Sequence, residues 1–309
     1  MTTESTPGTP LGIRDLAPES VLILGGGRAI LLQLANPAVG HGVARHSDFA
    51  ARPLDRLTGT LSYVYAVTCG TPIDRAAAVR RVSLAHRPVH SERTAGARTA
   101  GARTAGAQPA AEPAGAQPAA EPAGRPPSYN AFDPELQLWV AATLYESATR
   151  MHDLVFGPLT DADAESVYRD YGVLGTALQV PAGLWPADRA AFAAYWDRAV
   201  ADLSTDETTR SVARQLLHPT TGPVWLRLAM PLARLVTTGL LEPGERALFN
   251  LPWSAGRERA FGAVISVLRG VYPRLPTRLR HAPMRRSLSA GRALAARQHE
   301  AADAGGFRR

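Results

Sequence analysis

His86 has the strongest claim to chemistry of any side chain in the sequence. It follows Val79 and Val82 at helical spacing, and Val89 completes the stripe, which puts an imidazole on the apolar face of a helix. A neutral imidazole on a rigid apolar face can ligate a haem iron while its aliphatic neighbours keep water from the porphyrin. The competing reading is a hydrogen-bonded core histidine, the commoner role of a buried imidazole. Arg56 and Thr60 form a second unit four residues apart, and Tyr63 and Val67 continue their stripe, so a guanidinium and a hydroxyl can face one pocket. An inward guanidinium needs an anion, either a haem propionate or oxygen-derived ligand, or a local acid such as Asp48 or Asp55. His41 and His46 are five apart and fall on different parts of a helix surface, which argues against joint coordination of one metal from that helix. Each of them reads either as pocket-lining or as a surface or capping histidine.

Other chemistries lack their residues. The chain has no Lys, so the phosphate-binding Gly-Lys loop is impossible, and Gly25-Gly26-Gly27-Arg28 reads as close helix packing instead. No His-Glu-x-x-His, paired Glu-x-x-His or Gly-x-Ser-x-Gly motif occurs. Cys69 is the single cysteine, which excludes an intrachain disulfide and Cys-rich metal sites and requires any haem to be held noncovalently.

Helices must position these groups. Thr71-Pro72-Ile73-Asp74 combines an N-cap, a first-turn proline and a capping-box acid, and starts the His86 helix. Asp133-Pro134-Glu135 opens another, whose face runs through Leu136, Trp139, Val140 and Leu144 to Val155 before Gly157-Pro158 ends it. Thr160 with Asp163 caps a helix bearing Val167, Tyr168 and Tyr171, and a further helix starts near Pro186-Ala187-Asp188. Val21–Leu24 and Ala29–Ala35 read as one buried helix crossed by glycines. The β-branched run at 62–68 is the one strand candidate. Residues 93–107 repeat Arg-Thr-Ala-Gly-Ala, and two Gln-Pro-Ala-Ala-Glu-Pro-Ala-Gly units follow, so 91–127 reads as a low-complexity disordered insertion. The sequence thus predicts an all-α fold: a single globular helical domain over 14–286 with that insertion, a flexible N-terminus over 1–13 and an Arg-rich C-terminal tail over 287–309.

Charge is uneven along the 309 residues. The net charge is +7, and ten Arg against Glu300 and Asp303 put +8 of it between Arg269 and Arg309, leaving −1 for everything before. No nucleic-acid recognition motif accompanies that basic end, so nucleic acid is not an expected partner; a solvated tail or a last helix accounts for it. The sequence shows neither a secretory leader nor an uninterrupted apolar span, and the expectation is a cytoplasmic protein without a transmembrane segment.

Several segments together carry a resemblance: Leu-Gly-Gly-Gly-Arg-Ala (24–29), His-Ser-Asp-Phe (46–49), Arg-Leu-Thr-Gly-Thr (56–60), Val-Ser-Leu-Ala-His-Arg-Pro-Val (82–89) and Tyr-Asn-Ala-Phe-Asp-Pro-Glu-Leu-Gln-Leu-Trp-Val (129–140). In order and spacing they resemble the MpaB-type oxygenases, whose best-known relatives are the latex clearing proteins or rubber oxygenases. The resemblance implies an all-α haem b domain with globin-like packing, His86 as the proximal iron ligand, Arg56 and Thr60 beside the haem, and dioxygen as a partner. His46 is a further cofactor-pocket candidate, and the neutral helical body, which offers no charged clamp, points to a small apolar substrate. Many members carry His where this chain has Asn36 and Ala141, and no Lys exists to serve as the distal ligand of rubber oxygenases. The alternative is therefore a noncatalytic haem or apolar-ligand carrier or sensor.

Overall fold

The computed structural model describes residues 9–46, 53–91 and 127–306, without the side chains of 53–56 and 298–306. The expected flexible N-terminus up to residue 8 and nearly all of the expected 91–127 insertion lie outside the described residues. The chain runs through α1 (Ile13–Leu16), a 3-10 segment (Ser20–Gly25), α2 (Gly26–Ala35), α3 (Pro37–His46), α4 (Pro53–Thr68) and α5 (Pro72–His86). After the insertion come α6 (Pro134–Phe156), α7 (Asp161–Tyr171), α8 (Val173–Thr176), α9 (Arg189–Ala201), α10 (Glu207–Leu217) and α11 (Val224–Leu240). The chain then completes α12 (Pro243–Leu248), α13 (Ala255–Val271), α14 (Thr277–Arg280) and α15 (Ala282–Gly306). Among the described residues there is no strand, and one isolated bridge, His90 to Asn130, joins the two sides of the insertion. The fold is all-α, as the helical periodicity predicts.

Local sequence fixes most helix starts. Thr71 accepts from the Asp74 amide while Asp74 accepts from the Thr71 amide, Asp133 caps α6 through the Glu135 amide, and Thr160 caps α7 through the Asp163 amide. Gly157, at φ +94°, supplies the turn that ends α6. Helix α6 is the central element: Leu138, Trp139, Ala141, Ala142, Tyr145, Met151 and Val155 are all buried along it. It packs on α2, where Leu31, Leu32 and Leu34 are at most 1% exposed. Each such leucine contributes roughly 1.5–3 kcal/mol by leaving water. Trp139 stacks on Trp196, and Tyr145 meets Tyr168, Tyr171 and Phe192 edge-on.

Two expectations are revised by packing. The β-branched run at 62–68 is the second half of α4, because Tyr63, Ala66 and Val67 at helical spacing are all buried against neighbours, and that burial outweighs strand propensity. The Val21–Ala35 stretch is a 3-10 turn followed by α2 rather than one continuous helix. The Arg-rich end is a last helix, α15, through Gly306, one of the two readings open from sequence, and its Ser287 and Arg292 bond Ser62 of α4 and Asp74 of α5.

The triple glycine acts through close approach. A Cβ on Gly25 would sit 2.6 Å from the Ser147 carbonyl oxygen, and one on Gly27 would strike the side chain of Thr237. Arg28, 1% exposed, then reaches Glu146, the Ser147 hydroxyl at 3.3 Å and Glu245 at 3.2 Å, with its guanidinium over the Trp196 ring. Burial lowers its pKa, and the facing Glu245 carboxylate opposes that shift. These contacts tie α2, α6, α9 and α12 together.

Candidate functional site

A cavity opens between the N-terminal segment, α2, α4 and α6. Its enclosed interior is small, about 100 Å³, and it opens to solvent at its mouth. Its wall is largely aliphatic: Leu16, Leu22 and Ile23 from the N-terminal segment, Ala29 and Ile30 from α2, Leu57, Leu61 and Val64 from α4, and Leu144 from α6. Polar groups enter at few points, namely Glu19, Gln33, Thr60, Tyr65, Ser147 and Tyr171.

Most of these polar groups are held by the protein. The Gln33 amide donates to the Thr143 hydroxyl at 2.9 Å. Ser147 receives Arg28. Glu19 accepts from the Arg280 guanidinium at 2.8 Å, the His281 ring at 3.0 Å and the Tyr272 hydroxyl at 3.0 Å, so the C-terminal segment is pinned to the cavity wall. Burial, with smaller contributions from Cys69 and Tyr272, pushes the Tyr65 hydroxyl up to about 12, and burial likewise raises Tyr171. Both phenols are therefore neutral donors at ordinary pH.

Of the residues singled out from sequence, Thr60 lies on the cavity wall, half-buried. Arg56 stands one turn earlier on α4, and its side chain lies outside the described residues. His86 is the last residue of α5, half-buried, with its ring edge-on to Phe132 at 6.2 Å and 87°. It does not line the cavity. The stripe expected to bury it is only half-buried, because α5 is an outer helix whose single buried side chain is Ala78. His46, at the end of α3, is exposed and meets the Tyr129 hydroxyl at 3.1 Å. Desolvation at that contact lowers its pKa, and Arg45 and His90 add to the effect. His41 pairs with the side chain of Asp206, itself the N-cap of α10, at 2.7 Å. Glu19, Gln33, Tyr65 and Tyr171 join the site only through tertiary structure.

Haem b was tested against these groups by their chemistry. The aliphatic wall, the Thr60 hydroxyl, and a helical imidazole flanked by the Phe132 ring are the group types that hold a singly ligated porphyrin. The imidazole and the wall do not converge on one space, since α4 lines the cavity and α5, which packs on α4, does not. Among the described residues no cluster of three or more His, Cys, Asp or Glu side chains is arranged to hold a bare metal ion.

Comparison with known proteins decides the family. Residues 14–270 match the catalytic-domain model of the ER-bound oxygenase mpaB/B' and rubber oxygenase. The chain belongs to this oxygenase family. It is also 38% identical over 245 residues to the uncharacterized proteins Mb2261 of Mycobacterium bovis and Rv2237 of Mycobacterium tuberculosis, covering 78% of this chain and 84% of each relative. No solved structure matches the chain. The matched span includes Thr60 and His86 and ends before Tyr272, so the segment that pins Glu19 lies beyond it. No single helix among the described residues is long and apolar enough to cross a membrane.

Proposed function

We propose that this oxygenase-family chain oxidises a small apolar molecule with dioxygen, binding it in the cavity behind Thr60, and that its cofactor is haem b, for which His86, off that cavity's wall, is the candidate iron ligand. The observation that carries the reading is an aliphatic cavity with Thr60 of the Arg-Leu-Thr-Gly-Thr segment on its wall, inside the family's matched span. When bound, haem supplies the iron at which dioxygen is activated. The chain's own residues do the rest. Leu16, Leu22, Leu57, Leu61 and Leu144 bind the apolar body and exclude water from it. The Thr60 hydroxyl, without a hydrogen-bond partner among the described residues, is available to donate to an oxygen atom in the cavity. The neutral phenols of Tyr65 and Tyr171 keep the inner wall uncharged. Arg56, on the same helix, would face a propionate.

Absorption spectra of wild type and His86→Ala, recorded reduced and with carbon monoxide after haem reconstitution, test the cofactor. A Soret band in the wild type that is lost or shifted in the variant supports it. No band in either, or an identical band in both, refutes the assignment. Oxygen consumption with candidate alkenes tests the reaction separately.

A second reading, a noncatalytic carrier of haem or another apolar ligand, has its own observation. His86 lies off the cavity wall, and Ala141, where many relatives carry His, is packed in the core at 4% exposure. Tight binding of haem or an alkene with no oxygen uptake would favour it.

A further inference from the structure

The segment from α13 through the 3-10 turn at 272–274 into α14 divides its side chains between core and solvent. Leu268, Tyr272 and Arg280 turn inward: Leu268 and Tyr272 pack with Val21 and Met151, and Tyr272 and Arg280 hold Glu19 on the cavity wall. Val267, Val271, Leu275 and Leu279 turn outward and are 62%, 54%, 37% and 61% exposed. Exposed Arg269, Arg274 and Arg278 alternate with them. Four large aliphatic side chains this close in sequence form an apolar patch, and among the described residues nothing covers them.

Charge identifies the partner. Between Glu258 and Glu300 the sequence contains nine Arg and no acidic residue. We propose that this face docks on an anionic lipid surface, with Val267, Val271, Leu275 and Leu279 entering the headgroup boundary and Arg269, Arg274 and Arg278 meeting lipid phosphates. A symmetric pairing of two copies would bring the same arginines face to face, which opposes a dimer through this surface. Exposed aliphatics offer no stacking platform for nucleic acid. The opposite side of the same segment holds Glu19, so docking would place lipid next to the strap that closes one wall of the cavity. The inference stands on the surface alone and does not depend on the cofactor or the reaction.

Flotation of the full chain with vesicles tests it. One set is phosphatidylcholine alone, and the other contains phosphatidylcholine and phosphatidylglycerol at two parts to one. The wild type is expected to float with the phosphatidylglycerol vesicles, to remain behind with phosphatidylcholine, and to be released by raised salt. Arg274→Gln with Arg278→Gln should weaken binding roughly thirtyfold, about fivefold per arginine. Leu275→Asp with Leu279→Asp should abolish it while circular dichroism and light scattering remain as in the wild type. Should the Asp pair fail to fold, the Gln pair carries the test. Absence of binding to anionic vesicles, equal binding to both vesicle types, or full binding by both double variants would overturn the proposal. So would a change from dimer to monomer in the Asp pair with vesicle binding intact, which would make this face a contact between copies.

Discussion

Replacing Gly25, Gly26 and Gly27 singly by Ala distinguishes close packing from open cavity in three consecutive residues. Gly26 has helical φ −60° and ψ −33°, lines the cavity, and a Cβ there meets nothing within 4 Å. Ala at 26 therefore gains helix propensity and loses unfolded-state freedom without strain, a stabilisation of about 0.5–1 kcal/mol. At about 2–4 °C per kcal/mol for a chain of this size, Tm should rise by roughly 1–4 °C. A Cβ on Gly25 sits 2.6 Å from the Ser147 carbonyl oxygen and 3.2 Å from its carbon, and backbone in the middle of α6 cannot move aside cheaply. Gly25→Ala should lose about 1–3 kcal/mol and several degrees. Gly27→Ala meets the β-branched Thr237 side chain, so Thr237→Ala should recover part of the loss at 27 and none at 25. Melting curves by circular dichroism on the four single variants and the two double variants measure all of this. A Gly26→Ala loss as large as that at Gly25, or strict additivity of Gly27→Ala with Thr237→Ala, would refute the reasoning.

Other outcomes follow from single contacts. Arg28→Ala leaves Glu245, 4% exposed, without its buried cation and should lower stability by about 3–5 kcal/mol in urea unfolding; Glu146→Gln, at a 23% exposed position, should cost less. The Arg292 guanidinium and the Thr71 cap hold the Asp74 carboxyl down at about 2, below its ordinary range. Because the folded pKa is depressed, that stabilisation is complete above the unfolded value of about 3.9 and is lost as pH falls through about 2. Asp74→Asn should therefore be less stable than wild type at neutral pH and indistinguishable from it at the acid end, as read by denaturant midpoints. Thr60→Val keeps the shape of a half-buried side chain and removes its hydroxyl, so melting should stay within about 0.5 kcal/mol while oxygen uptake falls; unchanged uptake would remove Thr60 from the site.

What was legible in the sequence was local. The caps at Thr71, Asp133 and Thr160 involve partners two or three residues away, and each marks its helix start in the structure. The glycine run was readable as close packing because its crowding is a property of backbone without Cβ. Burial is a property of neighbours, and there local reading fails. The His86 stripe has the right spacing but lies on an outer helix, and the 62–68 run has strand-forming residues but is enclosed by α5, α8 and α15. The pairs Arg28 to Glu245 and Glu19 to Arg280 are separated by 217 and 261 residues, so no window of sequence contains both partners. The cavity inherits that distance: Thr60 was visible as part of a motif, whereas Glu19 joins it only because the C-terminal segment folds back to the N-terminal one.

The position of His86 makes the cofactor reading testable without measuring turnover. Helix α5 is anchored at its start by Asp74 on Arg292, at 2.8 Å, and just beyond its end by Ala131 donating to the Val89 carbonyl and Ser91 to that of Tyr129, both at 2.9 Å. His86 stands between these anchors with Phe132 against its ring, while α4, and not α5, lines the cavity. A porphyrin ligated by His86 must therefore alter the last turn of α5 and the 129–132 segment, whatever else it touches. An apolar ligand that merely fills the cavity must protect the 3-10 segment, α2 and the Leu57–Val64 part of α4 and leave 84–91 unchanged. Hydrogen exchange, which reports local opening free energies segment by segment, separates the two. With haem added, protection is expected to change over 84–91 and 129–132 in wild type and to remain at its apo level there in His86→Ala. Protection confined to the cavity wall in both proteins would show that haem, if bound, is held as a passive apolar guest and that the imidazole of His86 is not its ligand.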